Sequence, residues 1–287
     1  MSKPDIVPGD ANFQSTIFEQ AHSGIRWESF MKSRTALSSI LVATAFAAAS
    51  SVSLAQSNPV TINEVISLTP KVGMTAKFEK GIKDINAYVQ SHGLKTGTAA
   101  FEVLYGPQMG TIVILRPFPW EEGDNPPAYA AGVQPLVDKG VNPYLSSLQI
   151  TLNQAIPNLG NPGKAGTAPQ KYYEVITLRV RPARMTDFLS AVAQISAAET
   201  KENPSANEVI FYRTVSGGDT NEIVVAIGHP SFADIGRPGK SITEVLRQAY
   251  GEEAVSSVMN ALYGAIEHEE TTIVRYRPDL SASPGGT

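Results

Sequence analysis

The chain has 287 residues, 42% of them hydrophobic, a net charge of −4 and no cysteine. That length suffices for one large packed domain or two small ones, and the mild acidity without a basic stripe excludes a nucleic-acid binder. The absence of cysteine excludes disulfides, thiolate metal sites and a lipid anchor through a thiol, so stability has to come from packing.

In chain order, residues 1–30 read as a non-native or disordered extension punctuated by Pro4, Pro8 and Gly9. Residues 31–55 then have the layout of an export signal. Lys32 and Arg34 form the positive region, Ala36 to Ala49 is small and apolar, and Ser53-Leu54-Ala55 is a cleavage site ahead of Gln56. Such a signal is read from a free end, so Met31 is expected to be the true start. A genuine extension and a membrane anchor are the other readings, and the many Ser and Thr residues weaken the anchor. The expected destination is the periplasm or the exterior. No second long apolar run follows, so no stable membrane insertion is expected after signal removal.

The rest of the chain repeats itself. Glu64 to Leu68 recurs as Glu174 to Leu178, 110 positions on, and both runs read as strands. A helix pattern follows each, with Phe78, Ile82 and Ile85 matched by Phe188, Val192 and Ile195. Two strands joined as a hairpin come next: Ala100–Tyr105 with Thr111–Arg116, and Glu208–Thr214 with Glu222–Gly228. Each hairpin ends in a similar corner, Phe118-Pro119 and His229-Pro230. Residues 144–156 align with 254–266 at the same spacing, sharing two serines, Leu152/Leu262 and Ile156/Ile266, and both read as the final helix of their half. Thr271–Arg277 reads as a closing strand of the second half. The first half shows no such strand, because Pro157 to Gly163 reads as a linker.

The expected organisation is a first ferredoxin-like repeat over 56–157, a linker over 158–170, a second repeat over 171–280 and a tail over 281–287. Each repeat has the split βαβ order with helices on one face of an antiparallel sheet. Two copies hide their bare sheet faces by packing sheet to sheet. The expected class is therefore α+β, a tandem pseudo-dimeric α+β barrel. This element order and duplication, over roughly 61–280, resembles the dimeric α+β barrel superfamily, which includes NIPSNAP-like and antibiotic-biosynthesis-monooxygenase-like proteins. The resemblance implies a shared barrel made inside one chain, as a monomer or a homodimer. It fixes no chemistry, because the superfamily holds haem enzymes, cofactor-free oxygenases and proteins without known activity.

The residues themselves offer few catalytic patterns. His92 ends a helix, where imidazolium suits the dipole. His268 stands in Glu267-His268-Glu269-Glu270, which lacks the H-E-x-x-H spacing of a zinc site and reads as a solvated helix end. Gly236 to Ser241 misses the first glycine of a phosphate loop, since position 234 is aspartate. Ser241 and Glu244 instead form a capping box. Trp120 to Pro127 reads as a loop insert. Neither a metal nor a cofactor is called for. The better lead is strand alternation, which puts Tyr173, Val175, Thr177 and Arg179 on one face and Ile273, Arg275 and Arg277 on another. If Arg179, Tyr212 and Arg275 point between the sheets, with His229 at the rim, they make a binding pocket for a small anionic or carbonyl ligand. The alternatives are an oxygenase- or isomerase-type enzyme, and an assembly protein recruiting a partner at an open sheet edge.

Overall fold

A computed structural model describes residues 62–94, 96–161, 169–203, 207–237 and 239–283. The extension, the signal-like stretch and most of the expected linker lie outside these residues. Eight strands alternate with helices in two rounds. The first round is β1 (Ile62–Pro70), α1 (Thr75–Ser91), β2 (Ala99–Tyr105), β3 (Ile112–Pro117), α2 (Ala130–Gly140) and β4 (Leu145–Asn161). The second is β5 (Tyr172–Val180), α3 (Met185–Glu202), β6 (Val209–Ser216), β7 (Glu222–His229), two additional helices α4 (Phe232–Ile235) and α5 (Ile242–Tyr250), then α6 (Glu252–Ala265) and β8 (Ile266–Tyr276).

The strands close into one barrel in the order β1-β3-β2-β8-β5-β7-β6-β4. Each half contributes the same four-strand order, β4-β1-β3-β2 and β8-β5-β7-β6, and every neighbouring pair is antiparallel. The two sheets face one another across the interior, and their edges pair at two seams, β2 with β8 and β4 with β6.

Strand alternation separates two kinds of core. One set of side chains faces the interior, where Phe101, Val103, Tyr173 and Val274 are buried with Val113, Leu115, Val175 and Tyr276 around them. The opposite set faces the helices. In the second half Ile176, Leu178, Val180, Ile223 and Val225 meet Phe188, Val192, Val258 and Leu262. In the first half Leu68 and Ile112 meet Phe78 and Ile82. Both helix stripes anticipated from the repeat thus pack on the outer sheet faces, and Ser241 caps α5 by accepting from the Glu244 backbone N–H.

Two sequence expectations fail together. The expected helix over 144–156 does not form: Tyr144 ends a 3-10 turn, and 145–156 belong to β4, a 17-residue strand that is the closing strand of the first half. Leu148, Ile150 and Leu152 alternate with Gln149, Thr151 and Asn153, which is the period of a strand. The match to 254–266 is out of structural register, since Thr151 lies opposite Val65 while Thr272 lies opposite Val175. The partner of α6 is therefore α2. The run Glu267 to Glu270 likewise lies in β8 and not at a helix end. With β4 in place both sheet edges are paired, so among the described residues the barrel has no open edge of the kind expected for an assembly role.

The seams are built differently. Across β2–β8, Glu102 accepts from Arg275 Nη2 at 2.6 Å and from Arg277 Nη1 at 3.1 Å, and Arg277 also reaches Glu79 at 2.8 Å. Across β4–β6 the ladder is interrupted between Ala155 and Gly160. This excursion sends Leu159 into the helix core of the second half, and the Gly160 N–H donates to Ser196 of α3 at 2.8 Å. Gly160 has φ +74°, and a Cβ there would lie 2.3 Å from the Val209 carbonyl oxygen, so only glycine fits.

Candidate functional site

Two places bring polar chemistry into apolar surroundings. The first is the barrel interior. Tyr173 accepts from the Gln170 backbone N–H at 3.0 Å and donates to Glu208 at 2.9 Å. Desolvation, and then the Glu208 charge, raise its phenol well above the ordinary range. Tyr212 enters the interior from β6, and burial beside Glu208 pushes its pKa up to about 12. Asn153, opposite Thr214 across the β4–β6 seam, buries its side-chain oxygen without a partner. Elsewhere in the interior the Phe101 ring packs against those of Tyr173 and Tyr276, with centroids 5.5 and 5.6 Å away.

The second place is the outer face of the second half. Between its sheet and helices α3 and α6 lies a cavity of about 130 Å³. Ile176, Phe188, Phe211 and Leu262 are among its walls, and Glu269 is its one ionisable lining residue. Glu269 arrives there because β8 turns it to the helix side, opposite Leu178. Its side chain stays within reach of solvent at the mouth, and partial desolvation raises its pKa. Further along the same face Glu174 is half-buried. Burial and then the Glu269 charge raise its pKa. Its carboxylate lies 3.9 Å from Nε2 of His229, a residue only 5% exposed. Burial lowers the pKa of His229, partly offset by Asp234. Both shifts favour the uncharged forms.

The four anticipated ligand residues do not share one space. Tyr212 alone faces the interior. Arg179 sits at the lower rim, half-exposed and paired with Asp219 at 3.0 Å and Glu267 at 3.6 Å. A long cationic side chain at a strand end reaches solvent and surface carboxylates at little cost. Arg275 points to the outer face, where Glu102 holds it. His229 is also on the outer face, buried beside Glu174. The cationic interior pocket expected from the sequence therefore does not form. Sequence reasoning missed Glu269, which it read as one of a solvated acidic run, and Glu174. The available signal was alternation: both residues share the parity of core-facing neighbours.

The resemblance brings haem enzymes into view, but these residues do not fit a haem. No histidine lines the cavity, His268 is exposed on β8, and about 130 Å³ is well below the roughly 300–1,000 Å³ of pockets for larger ligands. Among the described residues no three His, Asp or Glu side chains group as metal ligands, and no helix is long and apolar enough to cross a membrane.

No family model and no curated protein matches this sequence. Solved structures do. A candidate monooxygenase from Fusobacterium nucleatum subsp. nucleatum is 10% identical over 79% of this chain and 96% of its own, with a TM-score of 0.50. A candidate monooxygenase from Lactobacillus acidophilus NCFM is 11% identical over 79% of this chain and 98% of its own, at 0.49. A candidate chlorite dismutase is 15% identical over 77% and 96%, at 0.48. At such identities the likeness concerns the fold alone.

Proposed function

With the dimeric α+β barrel fold built from a single polypeptide, we propose that this protein binds a small apolar molecule carrying an oxygen function in the second-half cavity, and that Glu269 exchanges a proton with it. The observation that carries this reading is the cavity wall, which is aliphatic and aromatic, with the exposed residue Glu269 at its edge. The volume suits a molecule near the size of a benzene ring, since an engineered apolar cavity of roughly 150 Å³ takes benzene. A carboxyl whose pKa partial desolvation raises, at the edge of such a cavity, is suited to general acid–base work. The proton leaves a C–H or O–H beside a carbonyl and bonds to a carboxylate oxygen of Glu269. The electron pair stays on the substrate as an enolate or phenolate, and return of the proton to another atom completes an isomerisation. The same enolate is the first species an oxygenation of an activated carbon requires, which agrees with fold neighbours described as candidate monooxygenases.

The test has two parts. Titration with benzene should move the methyl resonances of Ile176 and Leu178 saturably. Exchange of the α-hydrogens of cyclohexanone in heavy water should be accelerated by the wild type and slowed roughly 100-fold or more in Glu269→Gln. Absence of both effects would end this reading.

The layout of residues 31–55 supports action outside the cytoplasm. N-terminal sequencing of protein from its own host should begin at Gln56, and an intact Met1 or Met31 would contradict export.

A further inference from the structure

The two halves surround the same carboxylate with different residues. In the first half Glu64 lies opposite Arg116, whose Nε donates to it at 2.8 Å, and the Phe118 ring lies 5.1 Å from the same guanidinium. In the second half Glu174 lies opposite Ile227, and His229 stands two residues further on, where the first half has Phe118. An arginine and a phenylalanine are thus exchanged for an isoleucine and a histidine.

The exchange leaves a gap between two polar atoms. His229 is only 5% exposed, and its Nε2 is a buried polar atom without a partner among the described residues. Its other ring nitrogen lies 3.3 Å from the Asn207 side-chain amide. Glu174 Oε2 is 3.9 Å from Nε2, too far for a direct hydrogen bond. One oxygen atom about 2.8 Å from each would bridge them. A hydroxyl suits that place because it donates and accepts at once. The pair also adjoins the apolar cavity. Ile227, opposite Glu174, and Ile176, two residues on from Glu174 along the same face, are both cavity walls. Side chains two residues apart share a face of the sheet, so His229 and Glu174 are the next groups beyond those walls.

We propose that His229 and Glu174 set the specificity of the second-half cavity, holding between Nε2 and Oε2 the hydroxyl of a molecule whose apolar ring occupies the cavity. This rests on the cavity being a ligand site. The hydroxyl accepts from Nε2–H and donates to the carboxylate, or the reverse when the carboxyl holds the proton and Nε2 does not. The imidazole is fixed by burial, whereas Glu174 has three rotatable side-chain bonds and withdraws to admit the oxygen. Without the pair, a hydroxyl buried against aliphatic walls would lose its hydrogen bonds to water and gain none. The first half offers no such place, since Arg116 already occupies Glu64.

The test compares phenol with benzene on the full chain, with Kd read from the saturable shifts of the Ile176 and Ile227 methyl resonances. Wild type should bind phenol at least as tightly as benzene. His229→Phe, which copies the first half, and Glu174→Leu should each weaken phenol roughly tenfold and leave benzene within about twofold. Glu174→Gln keeps a donor and an acceptor, so phenol should stay within about threefold of wild type. Phenol bound by wild type roughly tenfold more weakly than benzene would overturn the proposal and leave the cavity standing as a ligand site. That is also the result expected if only water fits between the two side chains. Phenol affinity that His229→Phe leaves unchanged would overturn it as well, and binding of neither compound would end both readings. The wild-type comparison decides against the proposal without any variant having to fold.

Discussion

In the first half a Cβ added to Gly81 would lie 1.9 Å from the carbonyl oxygen of Gly140, so α1 and α2 approach until backbone meets backbone. In the second half Ala191 holds the position of Gly81. Its methyl is fully buried, so a side-chain atom stands where the first half has backbone against backbone. Val141, Tyr144 and Leu145 help fill the gap over Leu68 and Phe78 in the first half. Over Leu178 and Phe188 in the second, a cavity stays open. The halves differ in charge as well. Glu64 faces Arg116 across its ladder, whereas Glu174 faces Ile227. Duplication gives two copies of one scaffold. One copy pairs its carboxylate with Arg116, while the other borders a cavity and leaves Glu174 opposite Ile227. Function is best sought in the looser copy, because a site requires room and polar groups not already satisfied.

The largest expected effect comes from Phe188→Ala, which should cost about 3–5 kcal/mol because the ring is fully buried and the cavity beside it would grow. Denaturant titration checks this, and a cost below about 1 kcal/mol would mean the second half collapses easily. Gly81→Ala should cost roughly 1–3 kcal/mol through overpacking against Gly140. Ala191→Gly should be milder, roughly 1 kcal/mol from propensity and one lost methyl. If the two costs came out in reverse order, the packing account of the cavity would fail.

The electrostatic difference makes a pH prediction with a definite sign. The folded pKa of Glu174 is raised, so its contribution is present below the unfolded value and is lost as pH rises through the folded one. The folded pKa of His229 is depressed, so its contribution is present above the unfolded value and is lost as pH falls through the folded one. Glu174→Gln should therefore raise Tm at pH 7 relative to wild type, by about 2–4 °C for each kcal/mol relieved, and change it little at pH 4. A gain at pH 4 that vanishes at pH 7 would contradict the assignment. The smallest effect belongs to α5, a helix only the second half has: Ser241→Ala removes its cap and should cost about 1 kcal/mol.

Much of this architecture is legible in the linear chain. The strand at 64–68 and its copy, the Phe78 and Phe188 helix stripes, both hairpins and the Ser241 cap follow from local pattern, and the structure has them where the pattern puts them. The segment 145–161 is the instructive exception. Its Leu and Ile spacing satisfies both periods over a few residues, and a chance match to α6 favoured the wrong one. The placement of Arg275 and His229 on the outer face is of the same kind. Alternation says which residues share a face, and says nothing about which face is inside.

Residue order by itself determined that there are two similar modules, what their helices bury, and that no thiol or basic patch contributes, because these depend on neighbours a few positions apart. Only the tertiary structure decided that β4 closes the barrel, that Arg275 meets Glu102 rather than the interior, and that Glu269 borders a cavity. Those outcomes depend on which strands pair across the seams and how closely helices approach, and both are set by contacts between residues far apart in the chain.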